Sequence, residues 1–266
     1  GLQNPLSLRL GRQNGVSGGI PGRFDGAVAG YGISGNWRVN AVAGMPVDYD
    51  IDSKRYFYGL NVDVEKLANY WSGNAYVIDQ VVDGIADRRA VGGEIRFFKG
   101  GSSLYSVIDY DTLFEKLNVA TLQGTVQTKG LTTLTILLDK RKAPTLPTTN
   151  AVFGQPTSSI STPLQTQTET QRRQQGLGLT ADVKQVLASV TTPVSKTWQI
   201  GADFRLTNVG PLPAVNDIPA TPGTGDIYGY TLQAIGNNLY SGRDFSAISA
   251  TYLEGATYRE QHSAYN

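Results

Sequence analysis

Trp37, Val39, Ala41, Ala43 and Met45 take every second position of one segment, and Arg38, Asn40 and Gly44 fall between them. A period of two places successive side chains on opposite faces of a strand, here one oily and one polar. The pattern recurs along the whole chain. It predicts strands over 6–13, 23–34, 37–46, 55–64, 73–82, 89–99, 103–114, 119–128, 131–140, 183–192, 196–208, 227–237, 244–253 and 257–264. In 55–64, Tyr56, Tyr58, Leu60, Val62 and Val64 oppose Arg55, Asn61 and Asp63; in 196–208, Trp198, Ile200, Ala202, Phe204 and Leu206 oppose Gln199, Asp203 and Arg205. Around Leu179–Val190 the apolar spacing also fits a helix, but the segment runs through "TTPVSKTW" into a clear strand, so it is read as a strand too.

Connection lengths add to the picture. The links after the second, sixth, eighth and tenth strands are tight ("SGN", "KGGSS", "TKG", "PVSK"), whereas those after the first, third, ninth and eleventh are long. Up-and-down strands then gather most long links at one end of a sheet; the short 7–8 and 13–14 links break the rule. Sorting of this kind belongs to outer-membrane barrels, with short periplasmic turns and longer extracellular loops. The longest link, 141–180, is rich in Thr, Gln, Ser and Pro and lacks an amphipathic pattern, which favours a mobile surface loop over a constriction folded into a pore.

Alternation alone does not separate a half-buried soluble sheet from a membrane barrel, because the second simply inverts the first. Strands of about ten residues suit a tilted bilayer crossing. Aromatics sit toward strand ends, as interfacial girdles require: Tyr56, Tyr58, Trp71, Phe97, Phe98, Phe114, Trp198, Tyr228, Tyr230 and Tyr258. The oily face is rich in Ala, Gly and Val, which a lipid-facing wall tolerates. Backbone groups in lipid must all be paired, so such a sheet has to close on itself. The resulting expectation is one all-β domain, 1–266, folded as an antiparallel up-and-down transmembrane β-barrel with about fourteen strands in view.

Composition excludes several classes. A net charge of +1 argues against a nucleic-acid partner, and the lack of cysteine excludes disulfides and thiolate metal sites. No run approaches the roughly twenty apolar residues of a transmembrane helix. The chain starts at Gly1 without an initiator methionine, so it reads as a processed segment. "GYGISG" (Gly30–Gly35) has dinucleotide-binding spacing but continues into a strand, and "GVSGG" around Ser17 has nucleophile-elbow spacing without a helix. The lone histidine, His262, leaves no triad to assemble. Asp48, Asp50 and Asp52 alternate like a calcium loop but lack its later ligands, so a solvated acidic loop is the preferred reading. Neither catalysis nor a cofactor or metal is expected.

One constellation remains. Arg9, Arg38, Asp63, Glu94, Arg96, Asp109, Asp111, Asp139, Asp203 and Arg205 all fall on the polar phase of their strands. Isolated charges in a soluble core would cost several kcal/mol each, whereas beside a water-filled lumen they are cheap and filter solutes. They are therefore candidate pore-lining residues. The competing reading has them form salt-bridge ladders that pack a narrow, non-conducting interior.

The stretch "RLGRQ…GRFDG" (Arg9–Gln13, Gly22–Gly26) resembles the strand–loop–strand pattern of Gram-negative outer-membrane porins. It is especially similar to barrels at the C-terminal end of tetratricopeptide-repeat proteins, and to exopolysaccharide-export porins. "LDKRKAP" (Leu138–Pro144) and "PATPGTGDIYGYTLQ" (Pro219–Gln233) resemble later landmarks of the same barrels. The resemblance implies an outer-membrane barrel that passes hydrophilic solutes or exports a polymer such as a polysaccharide. Its surroundings would be the bilayer and lipopolysaccharide, with a periplasmic repeat region or export partner beside it. The chain shows no such repeats and does not end in the usual aromatic residue, which implies sixteen or more strands in the complete protein. The alternative is a non-conducting barrel that anchors or scaffolds a partner. A barrel-embedded hydrolase and a soluble carbohydrate-binding β-sandwich are lesser alternatives.

Overall fold

The computed structural model describes residues 5–15, 19–20, 22–47, 51–164, 166–255 and 259–265. Its strands form one antiparallel sheet in sequence order: β1 (Leu6–Asn14), β2 (Arg23–Gly32), β3 (Trp37–Pro46), β4 (Arg55–Leu67), β5 (Trp71–Val82), β6 (Ile85–Lys99), β7 (Ser102–Asp111), β8 (Lys116–Gln127), β9 (Thr133–Ala143), β10 (Ala181–Pro193), β11 (Trp198–Val209), β12 (Gly225–Asn237), β13 (Phe245–Glu254) and β14 (Arg259–Tyr265). Every strand pairs with its sequence neighbours, which is the up-and-down all-β architecture that the alternation predicts. The ambiguous 179–190 segment is strand β10 from Ala181 onward, paired in register on both sides with β9 and β11. Among the described residues β1 and β14 have one partner each, so the sheet is open between them.

Several boundaries shift by two to four residues from expectation, the start of β6 most of all. β6 begins at Ile85 because Asp83 (φ 47°) and Gly84 (φ 86°) make a two-residue turn with both residues in the left-handed region. An Asp-Gly pair adopts that geometry at low cost, and its twist matches the flanking strands. At one end of the sheet all the links, from 33–36 to 238–244, are two to seven residues long. The last of these is tied by Asp244, whose carboxylate accepts from the backbone N–H groups of Leu239, Tyr240 and Ser241. Those donors hold its carboxyl well below the usual carboxylate range. The opposite end carries the long links 15–22, 47–54, 144–180 and 210–224, besides three short ones. We refer to the turn end and the loop end.

Register fixes the faces. One face carries Leu8, Ala29, Ala41, Leu60, Val77, Val91, Ile108, Leu122, Ile136, Ala188, Ala202, Leu232 and Ala250, and it is the exposed one: Leu8 is 62%, Leu60 55% and Leu232 65% accessible. The other face carries the polar rows, and the loops of the loop end fold against it. There the ring of Phe24 meets that of Phe57 edge-on at 5.1 Å, in a small apolar cluster with Val42, Ile78 and Ala90. The sheet is thus inverted relative to a soluble one, with most of its large apolar side chains outside.

The 144–180 link is folded rather than a loose loop, contrary to expectation. It holds a 3-10 turn (Thr148–Val152), the short helix α1 (Ser161–Leu164) and helix α2 (Glu169–Gly178). Thr168 caps α2 in a reciprocal capping box with Gln171. Leu146, Ala151, Val152 and Ile160 are buried, and Val82 of β5 completes an apolar cluster with three of them. The insertion touches distant parts of the wall. Ser158 O accepts from Asp52 N at 3.0 Å, and Ser53 Oγ accepts from Ile160 N, both in the β3–β4 link. On its other side Asn216, in the β11–β12 link, donates to Phe153 O at 2.9 Å. Residues 153–158 span at most about 18 Å, whereas eight strand steps in a flat sheet cover about 38 Å. The sheet curls around the insertion, and the β11–β12 link leans in to meet it.

Candidate functional site

The ten candidate pore-lining residues all lie on the inner, polar face. Register places Arg9 on β1, Arg38 on β3, Asp63 on β4, Glu94 and Arg96 on β6, Asp109 and Asp111 on β7, Asp139 on β9, and Asp203 and Arg205 on β11, each in phase with the polar rows of its neighbours. They do not form a single ladder. They divide into an ion-pair hub, local pairs and groups without an ion-pair partner among the described residues.

The hub lies toward the loop end of β5–β8. Arg88 Nη2 meets Asp109 Oδ2 at 2.5 Å, and the Tyr76 hydroxyl donates to the same oxygen. Asn118 Nδ2 donates to Asp109 Oδ1 at 3.0 Å, while Asn118 Oδ1 accepts from Leu146 N of the insertion. Arg88 Nη1 donates to Gly19 O and so ties down the β1–β2 link. Asp111, fully buried, accepts from the N–H groups of Leu113 and Phe114 and stands 3.9 Å from Arg88 Nε. This corner is packed rather than open. Elsewhere the pairs are local: Glu94 with Arg96, and Asp139 with Arg141 and Thr121. Asp203 and Arg205 have no ion-pair partner among the described residues.

A cavity of about 750 Å³ lies against the inner face of β1–β6, toward the turn end. Its wall includes Ser7, Arg9, Arg38, Asn40, Asn61 and Asp63. The insertion stands across the loop end of the same interior. Asp87, fully buried, anchors it: the carboxylate accepts from Thr149 N (2.7 Å), Thr149 Oγ1 (2.6 Å) and Gln80 Nε2 (2.7 Å). Arg172 of α2 is also fully buried, with one guanidinium N–H on Gln175, and burial lowers its pKa. Replacing Asp87 by Ala leaves two donors of Thr149 without acceptors in a dry site. We expect this to weaken docking of the insertion by about 1.5–3 kcal/mol. Limited proteolysis within 153–168 should then accelerate roughly tenfold to a hundredfold while the strand content stays constant. An unchanged cleavage rate would show that Asp87 does not hold the insertion.

The seven aromatics assigned to interfaces, Tyr56, Tyr58, Trp71, Phe97, Trp198, Tyr228 and Tyr230, all lie on the outer face. Trp71, Phe97 and Trp198 sit near the turn end, and Tyr56, Tyr58 and Tyr228 near the loop end. Trp71 packs on Phe97 at 4.8 Å, and Phe204 on Tyr230 at 5.5 Å. Two further aromatics depart from expectation. Phe98 is on the inner face, two residues from Arg96, and Phe114 is buried in the β7–β8 turn. Tyr258, Asp48, Asp50 and Ser17 lie outside the described residues. Among the described residues no cluster of His, Asp or Glu is arranged to hold a metal ion, and no helix is long and apolar enough to cross a membrane.

Sequence reading missed Arg88, Tyr76, Asn118 and Asp87. Arg88 keeps the inward phase of Glu94 and Arg96 but precedes the strand start expected at 89, and Tyr76 is an uncharged member of an inward row. Asp87 and Asn118 are the extra residues of two β-bulges, opposite Gln80–Val81 and Asp109–Tyr110, which a strict period of two does not foresee. The available signal was the Asp83-Gly84 turn, which extends β6 backward to include Asp87 and Arg88. No protein-family model matches the chain, and no curated protein matches it. The likeness to porins and repeat-linked barrels therefore rests on the sequence motifs alone.

Proposed function

We propose that this chain is the wall of a Gram-negative outer-membrane channel that passes or exports hydrophilic solutes or polymers through a charged interior. One observation carries the reading. On strand after strand the large apolar side chains are the exposed ones, while the arginines, carboxylates and amides face the concave side. Water penalises such a surface, because contiguous apolar patches of this extent on soluble proteins mark contact with something else. Hydrocarbon rewards it, and an interior of charges and amides suits a wet lumen. The aromatics at both strand ends and the sorting of link lengths support the same reading. The mechanism needs no chemistry: solutes diffuse along the wall, and its charges and the insertion filter them. Lipid and lipopolysaccharide are the surroundings this implies, with a periplasmic repeat region or export partner beside it and no nucleic acid.

The folded insertion supports a second reading, a barrel that anchors or scaffolds a partner without conducting. Planar-bilayer conductance of the detergent-refolded protein separates the two. Discrete, reproducible current steps are the expected result, with a reversal potential in a salt gradient that reports the inner charges. A folded, inserted protein that stays silent would overturn the channel and favour the scaffold.

A further inference from the structure

The cavity against β1–β6 contains an arrangement that wall packing does not require. Asp63 stands directly across from Arg38 in the β3–β4 register, yet its carboxylate accepts from two amides instead, Asn40 Nδ2 at 2.6 Å and Asn61 Nδ2 at 3.0 Å. Arg38 reaches the other way, over β2, and Nη1 donates to Ser7 Oγ at 2.8 Å. Gly30 makes the crossing possible, since a Cβ there would stand 2.9 Å from Arg38 Nη1 and 2.8 Å from Ser7 Oγ. Arg12, Arg88, Arg89, Arg96 and Arg141 each hold a carboxylate. Among the described residues Arg9 and Arg38 hold none. Asn74, beside Asp63 across β4–β5, keeps its Oδ1 buried at the cavity wall without a donor. Four cations line this cavity against two carboxylates.

We propose that Arg9 and Arg38 form a binding subsite for the carboxylate of a polyhydroxylated solute, a sugar acid in chemical class. This rests on the channel reading and names a solute class for its interior. A guanidinium has five N–H donors in a planar fork matched to a carboxylate, and Ser7 occupies one of those of Arg38. Arg9 adds a second fork from β1. Asn40 and Asn61, whose amides hold Asp63, line the same cavity and offer their remaining amide groups to hydroxyls, so one wall presents both charge and neutral polar groups. A neutral sugar meets only the amides. A bare inorganic anion meets only the arginines.

Isothermal titration of the refolded full chain with sodium glucuronate and with glucose, at fixed ionic strength, tests the proposal. Saturable glucuronate binding is expected, with glucose at least about tenfold weaker, as the loss of charge-assisted hydrogen bonds implies. The R9Q/R38Q pair should lose about tenfold or more in glucuronate affinity, and R38K should recover only part of the R38Q loss because an ammonium lacks the fork. Arg9 is exposed, so R9Q alone is a fold-neutral variant and should already weaken glucuronate severalfold while leaving glucose unchanged. No saturable glucuronate binding by the folded protein, or equal affinity in R9Q and wild type, would overturn the subsite. A protein that binds glucuronate but is silent in a bilayer keeps the subsite and loses the channel, and a conducting protein that binds none does the reverse.

Discussion

Replacing Arg88 by alanine is expected to lower the stability of the folded sheet by about 3–5 kcal/mol, the largest effect of any single inner-face substitution. Asp109 and Asp111 are 3% and 0% exposed, and Arg88 is the cation that faces both. Its removal leaves buried carboxylates whose remaining donors are Tyr76, Asn118 and two turn N–H groups. It also releases Gly19 O and with it the β1–β2 link. Unfolding in denaturant, followed by fluorescence of the three tryptophans in detergent, reads the loss. A buried ion pair adds little over a well-packed apolar pair, so the double variant Arg88→Met with Asp109→Leu should recover part of the stability, the remainder being held back by Asp111, which still lacks its cation. A loss under 1 kcal/mol for R88A would mean that water reaches this corner. The hub would then belong to the open lumen rather than to its packed wall.

The hub also marks where reading the sequence stops. Fourteen strands and the faces of residues such as Leu60, Asn61 and Asp63 were legible, because a strict period of two leaves a single assignment when one face is oily. All ten inner-face charges follow from that phase. The phase fails where a bulge inserts a residue, as at Asp87, whereas Arg88 keeps the phase of Glu94 and Arg96 and was lost only because the strand begins earlier than expected. The insertion was illegible for a different reason. Its helices are short and polar, as in "ETQRRQQGLG", so their order comes from tertiary contacts such as Asp87 with Thr149 and Ser53 with Ile160. Only the Thr168–Gln171 capping box announced a helix start. The pairing of Arg38 with Ser7 rather than Asp63 was beyond sequence altogether, since register favours the opposite-charge pair and the gap above Gly30 decides otherwise.

Two neighbouring residues of β12 should give opposite answers when each becomes arginine. Leu232 is 65% exposed on the outer face, and Gln233 points inward between Gly201 and Ser249. For a soluble sheet, Leu232→Arg exchanges an exposed apolar side chain for a solvated one, and its effect should stay within about 0.5 kcal/mol. For a sheet in lipid, the same change places a guanidinium near the bilayer midplane and costs about 2–4 kcal/mol. Gln233→Arg adds a cation to a wall that already carries Asp203 and Arg205, where a wet interior absorbs it at little cost. Reversible urea unfolding in phospholipid vesicles measures both variants against the parent. The expected result is a large loss for L232R and less than about 1 kcal/mol for Q233R, where a soluble sheet gives near-neutral values for L232R. The asymmetry between two adjacent positions matters more than either value, because misfolding or a general dislike of arginine would depress both. Equal, small effects would remove hydrocarbon from the outer face and the channel reading with it.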